Sequence, residues 1–130
     1  MATTWLVAAT QALGYWDNED LARVVQRNGE LLDTELHRIV DKYPQLNPCA
    51  RGVGMVWGLE LPQPGVAGEA SAEAFERGLL IETAGDRDQV LKFLPSLLIE
   101  EEFLREGLEI VDQALGALME RRENLGGPGA

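Results

Sequence analysis

A change of period divides this chain. Up to Tyr43 the apolar residues Leu21, Val24, Val25, Leu31, Leu32, Leu36, Ile39, Val40 and Tyr43 recur in threes and fours, as one face of an α-helix requires, and Pro44 and Pro48 close the pattern. From Arg51 the period drops to two. Val53, Met55, Trp57, Leu59 and Leu61 then share one side of a predicted strand, with Gly52, Gly54, Gly58 and Glu60 on the other. A run of glycines on one strand face lets another backbone or a large side chain come close. A chain that moves from helical to strand periodicity must bury its helices against a sheet.

The remaining segments extend that picture. Residues 3 to 16 are apolar on nearly every side, which predicts a buried helix that needs neighbours all round. Asp17, Asn18, Glu19 and Asp20 suit the N-terminus of the long helix after it, in which Gly29 should cost about 1 kcal/mol relative to alanine and leave a local weakness. Pro62 to Gly68 reads as a loop, 69 to 77 as a short helix capped by Gly78, and Leu79-Leu80-Ile81 as the start of a buried strand. Residues 83 to 88 have the chemistry of a hairpin turn, so 89 to 94 should return antiparallel. Glu100 to Glu123 is a second long helix, with Phe103, Leu104, Leu108, Val111, Leu115 and Leu118 along one face. The expected architecture is α+β: a small antiparallel β-sheet packed by helices and preceded by two helices. Its expected divisions are a helical segment over 1–48, an α+β small domain over 49–123 and a disordered tail over 124–130.

Size and charge narrow the functions available. With 130 residues the chain can build one core but not two full domains. Its 22 acidic residues outnumber 11 basic ones, the formal charge is −11, and no basic stripe interrupts this, so nucleic acid and anionic membranes are disfavoured partners. No apolar run is long enough to span a bilayer. Cys49 is the only cysteine, which forbids an internal disulfide, and the first residues lack the pattern of a signal peptide, so a cytoplasmic location is expected. One cysteine and one histidine cannot make a conventional zinc site within the chain.

Individual candidates for chemistry mostly have plain explanations. Gly52, Gly54 and Gly58 lie inside a strand pattern, whereas a phosphate-cradling loop leads from a strand into a helix. Cys49 as a nucleophile would need His37 as its base, yet His37 sits among charged residues of a helix. Glu100, Glu101 and Glu102 complement the positive end of a helix dipole, while Lys42 and the Arg121-Arg122 pair suit negative ends. Lys92 is different, because it interrupts the apolar run Val90, Leu91, Phe93, Leu94. Either its strand faces solvent on that side, or Lys92 contacts an anion such as a substrate carboxylate from a rigid mount.

Three stretches carry a resemblance. They are Arg51-Gly52-Val53-Gly54-Met55-Val56-Trp57-Gly58-Leu59-Glu60, then Ala74 to Gly85, and then Val90-Leu91-Lys92-Phe93-Leu94-Pro95-Ser96-Leu97-Leu98-Ile99. Together they resemble the C-terminal part of class III aminotransferases, and Ile81-Glu82-Thr83-Ala84-Gly85 is most similar to the diaminobutyrate branch of that class. Tyr15-Trp16 and the helix around Val25 to Leu31 resemble the same family, so the likeness runs from about Trp5 to Leu115.

That resemblance implies a fold-type I enzyme that uses pyridoxal 5'-phosphate to move an amino group between an amino acid, here diaminobutyrate-like, and 2-oxoglutarate, as a homodimer. This chain would correspond to the closing helices of the large domain and the C-terminal small domain. The family's cofactor lysine, its acid partner for the pyridine nitrogen and its phosphate-binding turn would lie upstream, and Thr3 and Thr4 lack the neighbours that a phosphate-contacting threonine has there. Pyridoxal phosphate is therefore not expected to bind this chain alone, and no catalytic or cofactor-binding residue is assigned. The expected partners are a second copy or a large-domain aminotransferase chain, and the alternative is a non-catalytic dimerisation module derived from the same domain. One site residue is placed by the resemblance. Lys92 occupies the position where many members hold a substrate carboxylate with arginine, and lysine lacks that planar two-point grip.

Overall fold

The computed structural model describes residues 18–97 and 99–126. The helix expected over 3–16 lies outside the described residues. Helix α1 (Asn18–Lys42) is followed by a 3-10 turn (Pro44–Leu46), β1 (Cys49–Val53), β2 (Val56–Glu60), α2 (Val66–Glu76), β3 (Thr83–Ala84), β4 (Val90–Phe93) and α3 (Glu101–Gly126). All strand pairs are antiparallel, and the sheet order is β1-β2-β4-β3. The α+β architecture is as the sequence predicts.

The helices cover one face of the sheet and share its core. Leu32, Leu36 and Ile39 of α1, Leu104, Leu108 and Leu115 of α3, and Leu59, Leu91 and Phe93 of the strands are all buried in one cluster. Each such side chain removed from water contributes about 1.5–3 kcal/mol. Residues 18–48 and 49–123 thus meet in a common interior. Ile110 joins this core, whereas Phe103, which the period placed on the apolar face, is 46% exposed.

Several boundaries differ from the sequence reading, each for a local reason. The single strand expected from Arg51 is a hairpin, in which Gly54 turns the chain at a φ of 58°. Val53 therefore leaves the core face and is 84% exposed, while Met55, Trp57, Leu59 and Leu61 are buried as expected. Gly52 and Gly58 do not share a face. Gly52 pairs with Trp57, whose indole occupies the space a side chain there would need, and Gly58 lies on the opposite side. Helix α2 begins at Val66, inside the expected loop, because Val66 and Ala67 are both buried. It ends as predicted at Gly78 (φ 96°), where Leu79 N–H bonds the Ala74 carbonyl and Gly78 N–H that of Phe75. Leu79 and Ile81 are buried, but laddered pairing with β4 starts at Thr83, and the turn tightens to Gly85–Asp88. Helix α3 continues to Gly126, past the point where a disordered tail was expected, and residues 127–130 lie outside the described residues.

Gly29 turns out to be a contact rather than a weakness. The helix passes through it unbroken, and a Cβ there would stand 2.6 Å from the Gly54 carbonyl oxygen. The missing side chain lets α1 lie directly on the hairpin turn.

Candidate functional site

Strand alternation sorts β4 into two sides. Leu91 and Phe93 point into the core, so Val90 and Lys92 stand on the outer face, which no described helix covers. On that face Lys92 is level with Gly58 of β2, and Gly58 is level with Arg51 of β1. The Lys92 ammonium lies 3.4 Å from the Glu82 carboxylate, and the backbone N–H of Lys92 bonds the Glu82 carbonyl at 2.9 Å. One row further, Cys49, Arg51, Gly58, Glu60 and Val90 line a shallow cavity of about 160 Å³. The Arg51 guanidinium is pushed above its ordinary range by its bond to the Cys49 thiol and by the Glu60 charge. Arg51 and the cavity escaped the sequence reading because the turn at Gly54, which sets their register, was not recognised.

The other basic candidates are tied to structure. Lys42 reaches across to α3 and bonds Asp112 at 2.9 and 3.0 Å, so it joins two helices rather than simply complementing its own helix end. Arg38 adds a bond of 3.2 Å, and the Tyr43 hydroxyl lies 2.6 Å from Asp112 Oδ1 and 2.9 Å from its backbone carbonyl. Burial alone would raise the Asp112 carboxyl, but the bonds from Tyr43, Lys42 and Arg38 outweigh it and hold the group below the usual carboxylate range. Burial, followed by the bond to Asp112, pushes the Tyr43 phenol up. Arg121 donates to Glu73 of α2 and Arg122 to Gln63 at 3.1 Å, so this pair also fastens α3 to its neighbours.

Cys49 and His37 are not brought together. His37 accepts or donates at Asp33 and meets the Trp57 ring edge-on at 6.0 Å on the helical side of the sheet, whereas Cys49 belongs to the outer face. The acidic trio behaves as a helix start: the Glu100 carbonyl accepts the N–H groups of Phe103 and Leu104, and Glu101 pairs with Arg105 at 3.2 Å. Among the described residues no group of three acidic, histidine or cysteine side chains could hold a metal ion.

A long helix leading into a four-stranded antiparallel sheet is an arrangement with known counterparts. The sequence profile of the Aminotransferase class-III family matches residues 4–115. The chain belongs to the class III aminotransferase family. It is 49% identical over 117 residues to a diaminobutyrate–2-oxoglutarate transaminase of Wolinella succinogenes and 39% identical over 115 residues to that of Oceanobacillus iheyensis. These alignments cover 90% and 88% of this chain but 27% of each relative, so the chain spans about a quarter of their length. Among solved structures, the N-acetylornithine aminotransferase of Stenotrophomonas maltophilia superposes with a TM-score of 0.74 at 32% identity, over 88% of this chain and 31% of that one.

Class III aminotransferases depend in general on pyridoxal phosphate. Anchoring that cofactor requires a lysine amine free to form an imine inside a cavity that takes the ring and its phosphate. The chain has two lysines: Lys42 is held by Asp112, and Lys92 stands on the open face of the sheet beside Glu82. Neither lines the cavity at Arg51 or the one of about 130 Å³ between Pro62 and Gln89. The residues described here do not by themselves fit the cofactor.

Proposed function

We propose that this chain is the C-terminal portion of a class III aminotransferase that moves an amino group between a diaminobutyrate-like amino acid and 2-oxoglutarate, and that it is inactive until a large-domain portion supplies the cofactor site. The observation that carries this reading is the 49% identity to a diaminobutyrate–2-oxoglutarate transaminase across nearly all of this chain, over about a quarter of that relative. That neither lysine lines a described cavity supports the dependence on a partner. In the assembly, Lys92 contacts a substrate carboxylate from the outer face of β4, whose inward neighbours Leu91 and Phe93 are locked in the core. The homodimeric state and cytoplasmic location belong to this proposal, and no described helix is long and apolar enough to cross a membrane.

The test is amino transfer from diaminobutyrate to 2-oxoglutarate, read as glutamate formed. Turnover should appear only when the chain is combined with an aminotransferase large-domain chain and pyridoxal phosphate. Turnover by the chain alone would refute the dependence, and its absence in every combination would refute the enzymatic reading. A second reading, a non-catalytic association module, is favoured by Val53 and Val56, 84% and 61% exposed at the hairpin tip. Self-association with no response to pyridoxal phosphate or to the partner would select it.

A further inference from the structure

The open face of the sheet ends in a row of bare aliphatic side chains. Val53 pairs with Val56 across the β1–β2 turn, and one step beyond the level of Trp57 with Phe93, Val56 is level with Leu94. On the other side of β4 the Lys92 N–H bonds the Glu82 carbonyl, and two residues further along that register Leu80 stands beside Leu94. Alternation puts all four on the outer face, since their neighbours Trp57, Phe93, Leu79 and Ile81 are buried. Val53, Val56, Leu94 and Leu80 are 84%, 61%, 42% and 49% exposed. The next row toward the middle of the sheet, Arg51, Gly58, Lys92 and Glu82, carries no aliphatic branch at all. Crossing four strands, the aliphatic row is about 14 Å long and one side chain wide.

Size and charge decide what can cover it. Stable association between separate chains takes about 800 Å² from each partner, well above what a row of four side chains offers, and two copies that each carry a net charge of −11 repel one another. A tethered segment needs far less area, because its effective concentration is already in the millimolar range. Residues 3–16 supply a segment of the right chemistry, with Trp5, Leu6, Val7, Leu13 and Trp16 and no charged residue. They precede α1, whose Gly29 rests on the Gly54 carbonyl, next to Val53 at the end of the row. From Gly29 back to Asn18 the helix runs about 16 Å, and the stretch from Thr3 to Trp16 reaches up to about 46 Å when extended, enough to return to the turn and follow the row. We propose that residues 3–16 dock along Val53, Val56, Leu94 and Leu80 and cover the open end of the sheet. The inference goes beyond the aminotransferase reading and is tested on the chain alone.

The test uses the 130-residue chain with a nitroxide on Cys49, its only cysteine, which lies on the same outer face four residues along β1 from Val53, about 13 Å away. Amide NMR signals of residues 3–16 should be broadened by that label. Val56→Asp and Leu80→Asp each put a charge into the row. Both should relieve the broadening, and in the unlabelled chain both should speed hydrogen exchange of the same amides by about tenfold, the scale of one aliphatic side chain returned to water. Phe75→Asp, at an exposed apolar position of α2 on the helical side, should change neither. Absence of broadening in the parent chain, or broadening and exchange that both variants leave unchanged, would overturn the docking, as would an equal effect of Phe75→Asp. In a mixture of spin-labelled chain with unlabelled, nitrogen-15 chain, broadening of residues 3–16 would mean that a second copy covers the row, and would overturn the intramolecular contact as well.

Discussion

Two carboxylates in this molecule hold lysines, one between the helices and one on the open side of the sheet, and they behave as different objects. Asp112, with 13% of its side chain exposed, receives Lys42, Arg38 and Tyr43 at 2.6 to 3.2 Å. Glu82, 68% exposed, meets Lys92 alone among the ion pairs of the described residues, at 3.4 Å. In the first case the pairing joins α1 to α3, and a carboxylate largely withdrawn from water is held by three donors at once. In the second, water competes with the pair at every moment, so the cation is available to a ligand. The same chemistry serves structure where it is enclosed and exchange where it is open.

The contrast between the two sides can be tested on adjacent residues of one strand. Leu91→Ala should cost about 2–5 kcal/mol in chemical denaturation, since the side chain is 1% exposed and leaves a cavity, while Lys92→Ala should stay within about 0.5 kcal/mol. Comparable losses would erase the distinction between inner and outer faces. Next in size, Asp112→Ala should cost about 1.5–3 kcal/mol by removing the charged acceptor shared by Lys42, Arg38 and Tyr43. The pH dependence follows from the direction of its shift. Because the folded carboxyl lies below its unfolded value, near about 4, its contribution is complete above that value and is lost as pH falls through the lower folded one. Asp112→Asn should therefore show less acid destabilisation in that window than the parent chain, and an identical acid profile would count against the cluster. Tyr43→Phe, which removes only the hydroxyl, should cost about 1 kcal/mol by the same measurement. Glu82→Gln should be the smallest, within about 0.5 kcal/mol, and a larger loss would mean that the outer pair is structural after all.

How much of this was legible depends on whether a pattern repeats. The face of α1 carrying Leu32, Leu36 and Ile39 and that of α3 carrying Leu108, Val111 and Leu115 announce themselves, because each is reinforced over several turns. The β1–β2 hairpin hid because the sequence alternation of Val53, Met55, Trp57 and Leu59 runs on through its two-residue turn, Gly54-Met55, although the turn pairs Val53 with Val56 and so moves Val53 to the opposite face. Only a left-handed glycine marked the reversal. The start of α2 was masked by Pro62, Pro64, Gly65 and Gly68, whose loop character was outweighed by burial of Val66 and Ala67. Lys92 stood out as a charge within an apolar run, and the structure puts it on the open face. Its alignment with Arg51 and the joining of Asp112 to α1 are pairings between distant segments, which no local period records. The family likeness includes both Arg51 and Lys92 but gives a role only to Lys92.

The strand order also sets a schedule. The pairs β1–β2 and β3–β4 are each closed by a short turn, so both can zip within microseconds from local encounters. The central seam, Trp57 against Phe93, must wait for the whole α2 segment to be looped out between them, with a larger entropic cost before any contact rewards it. The middle of the sheet is thus the last part to be sewn. Changes in the outer turns should therefore act mainly on the rate of refolding, whereas mutations along that seam should act mainly on the rate of unfolding.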